Sequence, residues 1–260
     1  MRKKKNSFFT KTVLLFGAAA VLLVMSTVGS TRAALIYNDD NAYRIQIAAS
    51  YIGVGLKENG DVVSYRSYDR NNQAVEESKP LLSKVADTVK KEGFKPGASY
   101  EEKLTVTNTG EIDSYVRVII YKSWKDTSGN SNTVLSPELI RLEADGTDYN
   151  GWVKDTKASG SGSENGDYRE RIVLYYTKPI ASGAETPSFN ETLSIDPEVM
   201  KVFSQTRTGN QITTSYAYDG YSFNLEVEAD AVQTHNAQDA IKSAWGVDVN
   251  IAQDGTLSLR

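Results

Sequence analysis

The chain has 260 residues, 40% of them hydrophobic and 24% charged, with a formal charge of −4. That length and apolar content can build a sizeable core, and the composition is too hydrophobic for a disordered chain. The absence of cysteine excludes a disulfide framework, a thiolate metal site and a cysteine nucleophile.

Arg2, Lys3, Lys4 and Lys5 precede an almost wholly apolar stretch from Val13 to Val24. Thr31 and Ala33 then supply small residues at −3 and −1 of a cut that would leave Ala34 as the new first residue. This is the three-part layout of a secretory signal peptide over residues 1–33, and the apolar stretch is short of the ~20 residues a bilayer span needs. An uncleaved membrane anchor is the alternative reading. Cleavage would leave 23 basic against 33 acidic residues over 34–260, a charge of −10. So acidic a chain has no electrostatic footprint for nucleic acid or anionic lipid. The C-terminal "DGTLSLR" carries no sorting motif followed by a hydrophobic tail.

The remaining residues, 34–260, read as a single β domain. Over residues 43–56, "YRIQIAASYIGVGL", Ile45, Ile47 and Ala49 alternate with Arg44, Gln46 and Ala48, the period of a half-buried strand. Asn59-Gly60 predicts a tight hairpin and "VVSYRSY" its return strand. From Pro80 to Lys91, Leu81, Val85 and Val89 recur every four residues, which fits a short helix or an irregular excursion. A second hairpin is expected over residues 95–124, where Leu104, Val106 and Asn108 alternate, "NTG" turns, and Tyr115 to Tyr121 is β-branched and aromatic.

"SPEL", with Ser136 at the N-cap and Pro137 at the first position, predicts one helical turn. "WVKD" and "RERIVLYYTK" predict strands separated by a flexible Gly/Ser loop over residues 156–167. "ETLSIDP" is a further strand, and two more flank Asp219-Gly220. In the second of these, Phe223, Leu225, Val227 and Ala229 face in, and Asn224, Glu226, Glu228 and Asp230 face out. Asn236 as N-cap, Asp239 in the first turn and Gly246 as the left-handed stop frame a C-terminal helix, and "VDVNIAQDGTLSL" closes as a hairpin. The expected fold is mainly β: a jelly-roll or Ig-like β-sandwich with one short C-terminal α-helix and long loops.

Chemistry is sparse. His235 is the one histidine, and although Asp230 and Asp239 are near in sequence, no nucleophile motif accompanies it. One histidine cannot assemble an H-E-x-x-H zinc site. Asp145, Asp148 and Asn150 offer hard oxygen ligands for Ca²⁺, without the spacing of an EF-hand loop. Glu226, Glu228 and Asp230 on one strand face fit a solvated sheet surface better than a hydrolytic pair. The aromatics Tyr100, Tyr115, Tyr121, Trp124, Trp152, Tyr175, Tyr176, Tyr216, Tyr218, Tyr221 and Phe223 fit either a carbohydrate surface or, more simply, core packing. No catalytic residue, cofactor or metal is expected.

Gly29 to Asp40, with Gly29, Thr31, Ala33 and Asp39, resembles the segment read by the SipW-type signal peptidase, although Arg32 replaces the usual aromatic and Leu35-Ile36 the usual Phe. Pro96, Gly97, Asn108, Gly110 and Val116 to Ile120 are similar to the strand–turn–strand core of the TasA/camelysin group of exported Gram-positive proteins, and "VEADAVQTHNAQDAIKSAWG" looks like its C-terminal region. About half of the chain is covered. The resemblance implies a secreted jelly-roll-like protein that forms biofilm-matrix fibres, with the signal peptidase, further copies of itself or related matrix proteins as partners. Membrane contact would come only through the uncleaved signal peptide. It also implies that the processed N-terminal segment, with Tyr43, Ile45 and Ile47 on strand 43–56, inserts as a donor strand into a neighbouring subunit, against the alternative that it pairs within its own. The metalloprotease activity ascribed to camelysins has no matching zinc residues here. A non-enzymatic structural protein is therefore the leading expectation, followed by a monomeric adhesin or carbohydrate-binding module, then a secreted hydrolase.

Overall fold

Asn59 and Gly60 take φ angles of 51° and 92°. Both are positive, as a type I′ turn requires, and the turn joins β1 (Val54–Glu58) to β2 (Asp61–Tyr68). The structure, a computed structural model, describes residues 52–68, 74–130, 132, 135–146, 148–164, 167–209 and 211–260. Thr31, Ala33 and Ala34 of the expected cut, and Tyr43, Ile45 and Ile47 of the expected donor strand, lie outside these.

After β2 the chain adds β3 (Ala74–Ser78) and then α1 (Ser83–Glu92). The four-residue spacing of Leu81, Val85 and Val89 therefore resolves into a helix, with Val85 buried. It is a second helix beside the expected C-terminal one. The strands then follow as β4 (Ser99–Thr107), β5 (Ser114–Lys125), β6 (Ile140–Leu142), β7 (Asp148–Tyr149), β8 (Trp152–Lys154), β9 (Gly160–Glu164), β10 (Asp167–Tyr176), β11 (Asn190–Ile195), β12 (Phe203–Thr208), β13 (Gln211–Tyr216) and β14 (Ser222–Gln233). Helix α2 (Ala237–Trp245) and the hairpin β15 (Val249–Ile251) and β16 (Leu257–Leu259) end the chain. "SPEL" forms its turn over Pro137–Leu139, without a side-chain cap from Ser136.

Two antiparallel sheets carry the fold, in orders β3-β2-β1-β4-β11-β6 and β14-β5-β10-β8-β7, with β9 also on β10. Their inner faces share one core, to which Leu56, Leu104, Val118, Ile172, Leu193 and Leu225 contribute. The chain is thus mainly β, with a sandwich of two sheets. A second core lies on the outer face of the β5 sheet, where Ile241 of α2 and Val249 and Leu257 of the terminal hairpin cover Tyr115, Ile119, Val173 and Tyr175.

Two expectations are corrected. The strands expected as a hairpin over 95–124 exist, but β4 pairs with β1 and β11, whereas β5 pairs with β10 and β14. The chain crosses between sheets because Asn108, 1% exposed, organises a corner instead of a tight turn. Its Nδ2 donates to Ile112 O at 2.7 Å and Ile180 O at 2.9 Å, and its Oδ1 accepts from Gly110 N at 2.9 Å. The Gly/Ser stretch, expected as a flexible loop, contains β9, which forms a ladder from Gly160↔Arg171 to Glu164↔Asp167. Backbone pairing to a long, well-anchored β10 outweighs the low strand propensity of Gly and Ser.

The C-terminal helix starts at Asn236 and stops at Gly246 (φ 72°), as expected. Asn236, however, sits at φ 50° and makes no side-chain cap bond. Substitution of Asn108 by Ala strands the Gly110 N–H and weakens both carbonyl contacts in a buried corner. Asn108→Ala is expected to lower stability by about 2–4 kcal/mol, read from urea denaturation, without changing the strand content seen by circular dichroism.

Candidate functional site

Strand β14 lies at one side of its sheet. Among the described residues it pairs with β5 alone, so one side of a twelve-residue strand is an edge. Its residues alternate as expected: Leu225 is in the inter-sheet core, Phe223, Val227 and Ala229 pack against it, and Glu226 and Glu228 are exposed. Across the core, β14 faces β1. The opposing sheet continues past β1 with β2 and β3, whereas among the described residues the β14 sheet ends at β14. A groove of about 250 Å³ follows this step, lined by Leu56, Val63, Leu81, Leu225 and Val227 together with the polar Ser64, Lys79 and Glu226. Among the described residues the β14 backbone is unpaired along one wall of this groove, a geometry that suits one more strand.

Near the start of α1, two buried carboxylates meet. Glu58 is 3% and Glu102 0% exposed. Glu58 accepts from the Leu82 backbone N–H and lies 3.4 Å from Ser83 Oγ, so its charge sits at the positive end of α1. Neither Glu102 oxygen has a donor within reach. Burial, then the charge of Glu58, then a hydrogen bond to Glu58 push the Glu102 carboxyl up to about 8 from 4.5, with Lys84 partly opposing. The missing donor is therefore the proton on Glu102 itself, shared with Glu58.

A second charged cluster crosses the core. Lys122 on β5 is fully buried. Its Nζ donates to Ile140 O at 2.6 Å, lies 3.0 and 3.1 Å from the two carboxylate oxygens of Asp145, and is 3.0 Å from Glu170 Oε2. Asp145 also accepts from Leu142 N at 3.2 Å.

This accounts for one calcium candidate, since an ammonium occupies the face of Asp145 that a cation would need. Asn150 turns at φ 49° and donates through Nδ2 to Ser188 O at 3.2 Å, away from Asp145, while Asp148 lies in β7. Among the described residues no three His, Asp or Glu side chains are grouped to hold a metal ion. His235 is exposed, and Asp230 is bound by Arg117, whose Nε lies 3.0 Å from Oδ2. Most of the aromatics are structural: Tyr100, Tyr115, Trp124, Trp152 and Tyr175 are buried, and Tyr121, Tyr176, Tyr218, Tyr221 and Phe223 pack on the two cores.

Tyr216 is the exposed one. It belongs to the ribbon β12–β13, which pairs with nothing else among the described residues. Phe203, Gln205 and Arg207 oppose Tyr216, Thr214 and Ile212 on one face, and the other face carries only Ser, Thr and Gln. Phe203 and Tyr216 pack edge to face at 5.9 Å, yet Phe203 remains 50% and Ile212 61% exposed.

Sequence reading missed the buried charges, although the signal was present. Glu102 continues the inward parity of Leu104 and Val106, Lys122 that of Val116, Val118 and Ile120, and Glu170 that of Ile172 and Leu174. No family model, curated protein or solved structure matches this chain. Among the described residues no helix is long and apolar enough to cross a membrane.

The carboxylate pair has a pH signature. Between pH 4.5 and about 8 the unfolded chain releases the Glu102 proton and the folded chain keeps it. The stability contributed by that proton is complete below 4.5 and is lost as pH rises toward 8. Glu102→Gln is expected to flatten this decline and to be more stable than the parent at about pH 8, by on the order of a few kcal/mol. Urea titrations across that range check it, and an unchanged slope would show that Glu102 is not the titrating group.

Proposed function

We propose that this protein is a non-enzymatic, secreted structural protein that assembles with copies of itself in the extracellular matrix. The observation that carries the reading is the edge that β14 forms among the described residues, beside a groove lined by Leu56, Val63, Leu81, Leu225 and Val227 with Ser64, Lys79 and Glu226. Signal-peptide removal after Ala33 would free an N-terminal segment whose alternation matches that groove. With Ile45 and Ile47 turned to the side of Val63 and Leu81, Arg44 and Gln46 fall on the side of Glu226 and Glu228, which gives charge complementarity to the donated strand. A strand donated from one subunit to the next is a head-to-tail contact that does not close, and such contacts build filaments. The likeness of Gly29 to Asp40 and of the Asn108 region to the TasA/camelysin group points the same way. The acidic charge of the mature chain keeps free subunits soluble until the segment engages.

A second reading, a monomeric adhesin, is favoured by the exposed Phe203, Ile212 and Tyr216 on the projecting ribbon, a surface on which a partner could stack. The two readings separate in one experiment. Residues 34–260, with and without 34–49, are followed by light scattering and electron microscopy. Filaments that require 34–49 and are abolished by Val227→Lys are expected, since a charge in the groove opposes an incoming apolar strand. A chain that stays monomeric at every concentration transfers the assignment to the adhesin.

A further inference from the structure

The arrangement around Lys122 has more order than an ion pair needs. Lys122, Asp145 and Glu170 come from three separate elements: the middle of β5, the turn after β6 in the opposing sheet, and β10 directly across from Lys122 in the β5 ladder. The lysine side chain is 0% exposed, that of Glu170 12% and that of Asp145 26%. Being almost equidistant from both oxygens of Asp145, Nζ lies on the plane that bisects the carboxylate and passes through Cγ. Ile140 O fixes its orientation at 2.6 Å, and Glu170 Oε2, which has no other hydrogen-bond partner, stands at 3.0 Å on the same nitrogen. An amine, a carboxyl carbon and a proton carrier are thus held together in a buried setting.

We infer that Lys122 and Asp145 condense spontaneously into an isopeptide bond that staples one sheet to the other, with Glu170 as the proton carrier. In a low-dielectric site the ammonium–carboxylate pair pays a desolvation cost that the neutral amine and acid avoid. Transfer of one proton from Nζ to Asp145, relayed by Glu170, gives that neutral pair. The Nζ lone pair then bonds to Cγ. Glu170 takes a second proton from the nitrogen and delivers it to a hydroxyl on Cγ, the C–O bond breaks, and water leaves. The balance is one ammonium and one carboxylate in, one amide and one water out, with Glu170 returned to its starting state and no oxidant or co-reactant consumed. The remaining N–H keeps Ile140 O as its acceptor. Holding the reacting groups at contact within a rigid core supplies the effective concentration that an unactivated carboxyl otherwise lacks.

This inference is independent of the assembly reading, because it concerns the interior of a single subunit. It is tested by tryptic peptide mapping of the full chain after folding. The expected result is no cleavage after Lys122, and a branched species joining the Lys122 and Asp145 peptides that is one water lighter than their sum. Glu170→Gln, close in size, is expected to leave both peptides unlinked while circular dichroism stays that of the parent. Should that variant fold poorly, Asp145→Asn is the alternative, and its link would release ammonia in place of water. Free Lys122 and Asp145 peptides from the folded parent chain would overturn the proposal and leave a buried ion pair. A link that persists unchanged in folded Glu170→Gln would overturn the role given to Glu170.

Discussion

Strand β5 is covered on both faces, and the rest of the molecule is arranged to make that possible. Its even-numbered residues Val116, Val118 and Ile120 enter the inter-sheet core, while Tyr115 and Ile119 enter the outer core. A strand buried on both sides must have both ladders filled, which β10 and β14 do, and needs a cover for each face. One cover is the opposing sheet. The other is α2 with the terminal hairpin, whose positions are set by the apolar residues β5 and β10 present to them. Trp245 at the end of α2 completes it, packing on Tyr175 at 5.5 Å and beneath the Arg117 guanidinium.

The interior accepts charges at two places and handles them differently. Lys122 brings a positive charge into the core and is answered by two carboxylates and a carbonyl. Glu102 brings a carboxyl that burial and then the neighbouring Glu58 push up to about 8, with Lys84 opposing only in part. The first arrangement joins the two sheets. The second leaves a titratable pair near the start of α1. A buried ion pair or carboxyl pair is costly to desolvate, and a hydrophobic pair of similar volume would often pack either position at no loss of stability.

The sandwich is also unequal at its two sides. Among the described residues, the sheet containing β1 extends through β2 and β3 beyond the point where the other sheet stops at β14. An edge strand of twelve residues is ordinarily a hazard, and the exposed Glu226 and Glu228 limit which strands can join it.

Local chemistry alone determined much of this. The Asn59-Gly60 turn, the strand parity of β4, β5 and β14, the one-turn helix at Pro137 and the limits of α2 all follow from φ preferences and from the periods 2 and 3.6. The same parity, a property of the sequence, points Glu102, Lys122 and Glu170 inward. Which strands pair was decided only by the tertiary fold. β4 and β5 have the sequence of a hairpin, yet the buried Asn108 corner and the two-faced burial of β5 send them to different sheets. The Gly/Ser stretch at β9 likewise becomes a strand only because β10 offers it a ladder. Pairing is a long-range choice, made by the total burial of all strands together, and no local pattern encodes it. For the same reason, a sequence can place a charged residue inside but cannot say what it will meet: Asp145 and Glu170 reach Lys122 only once three distant segments have been folded against one another.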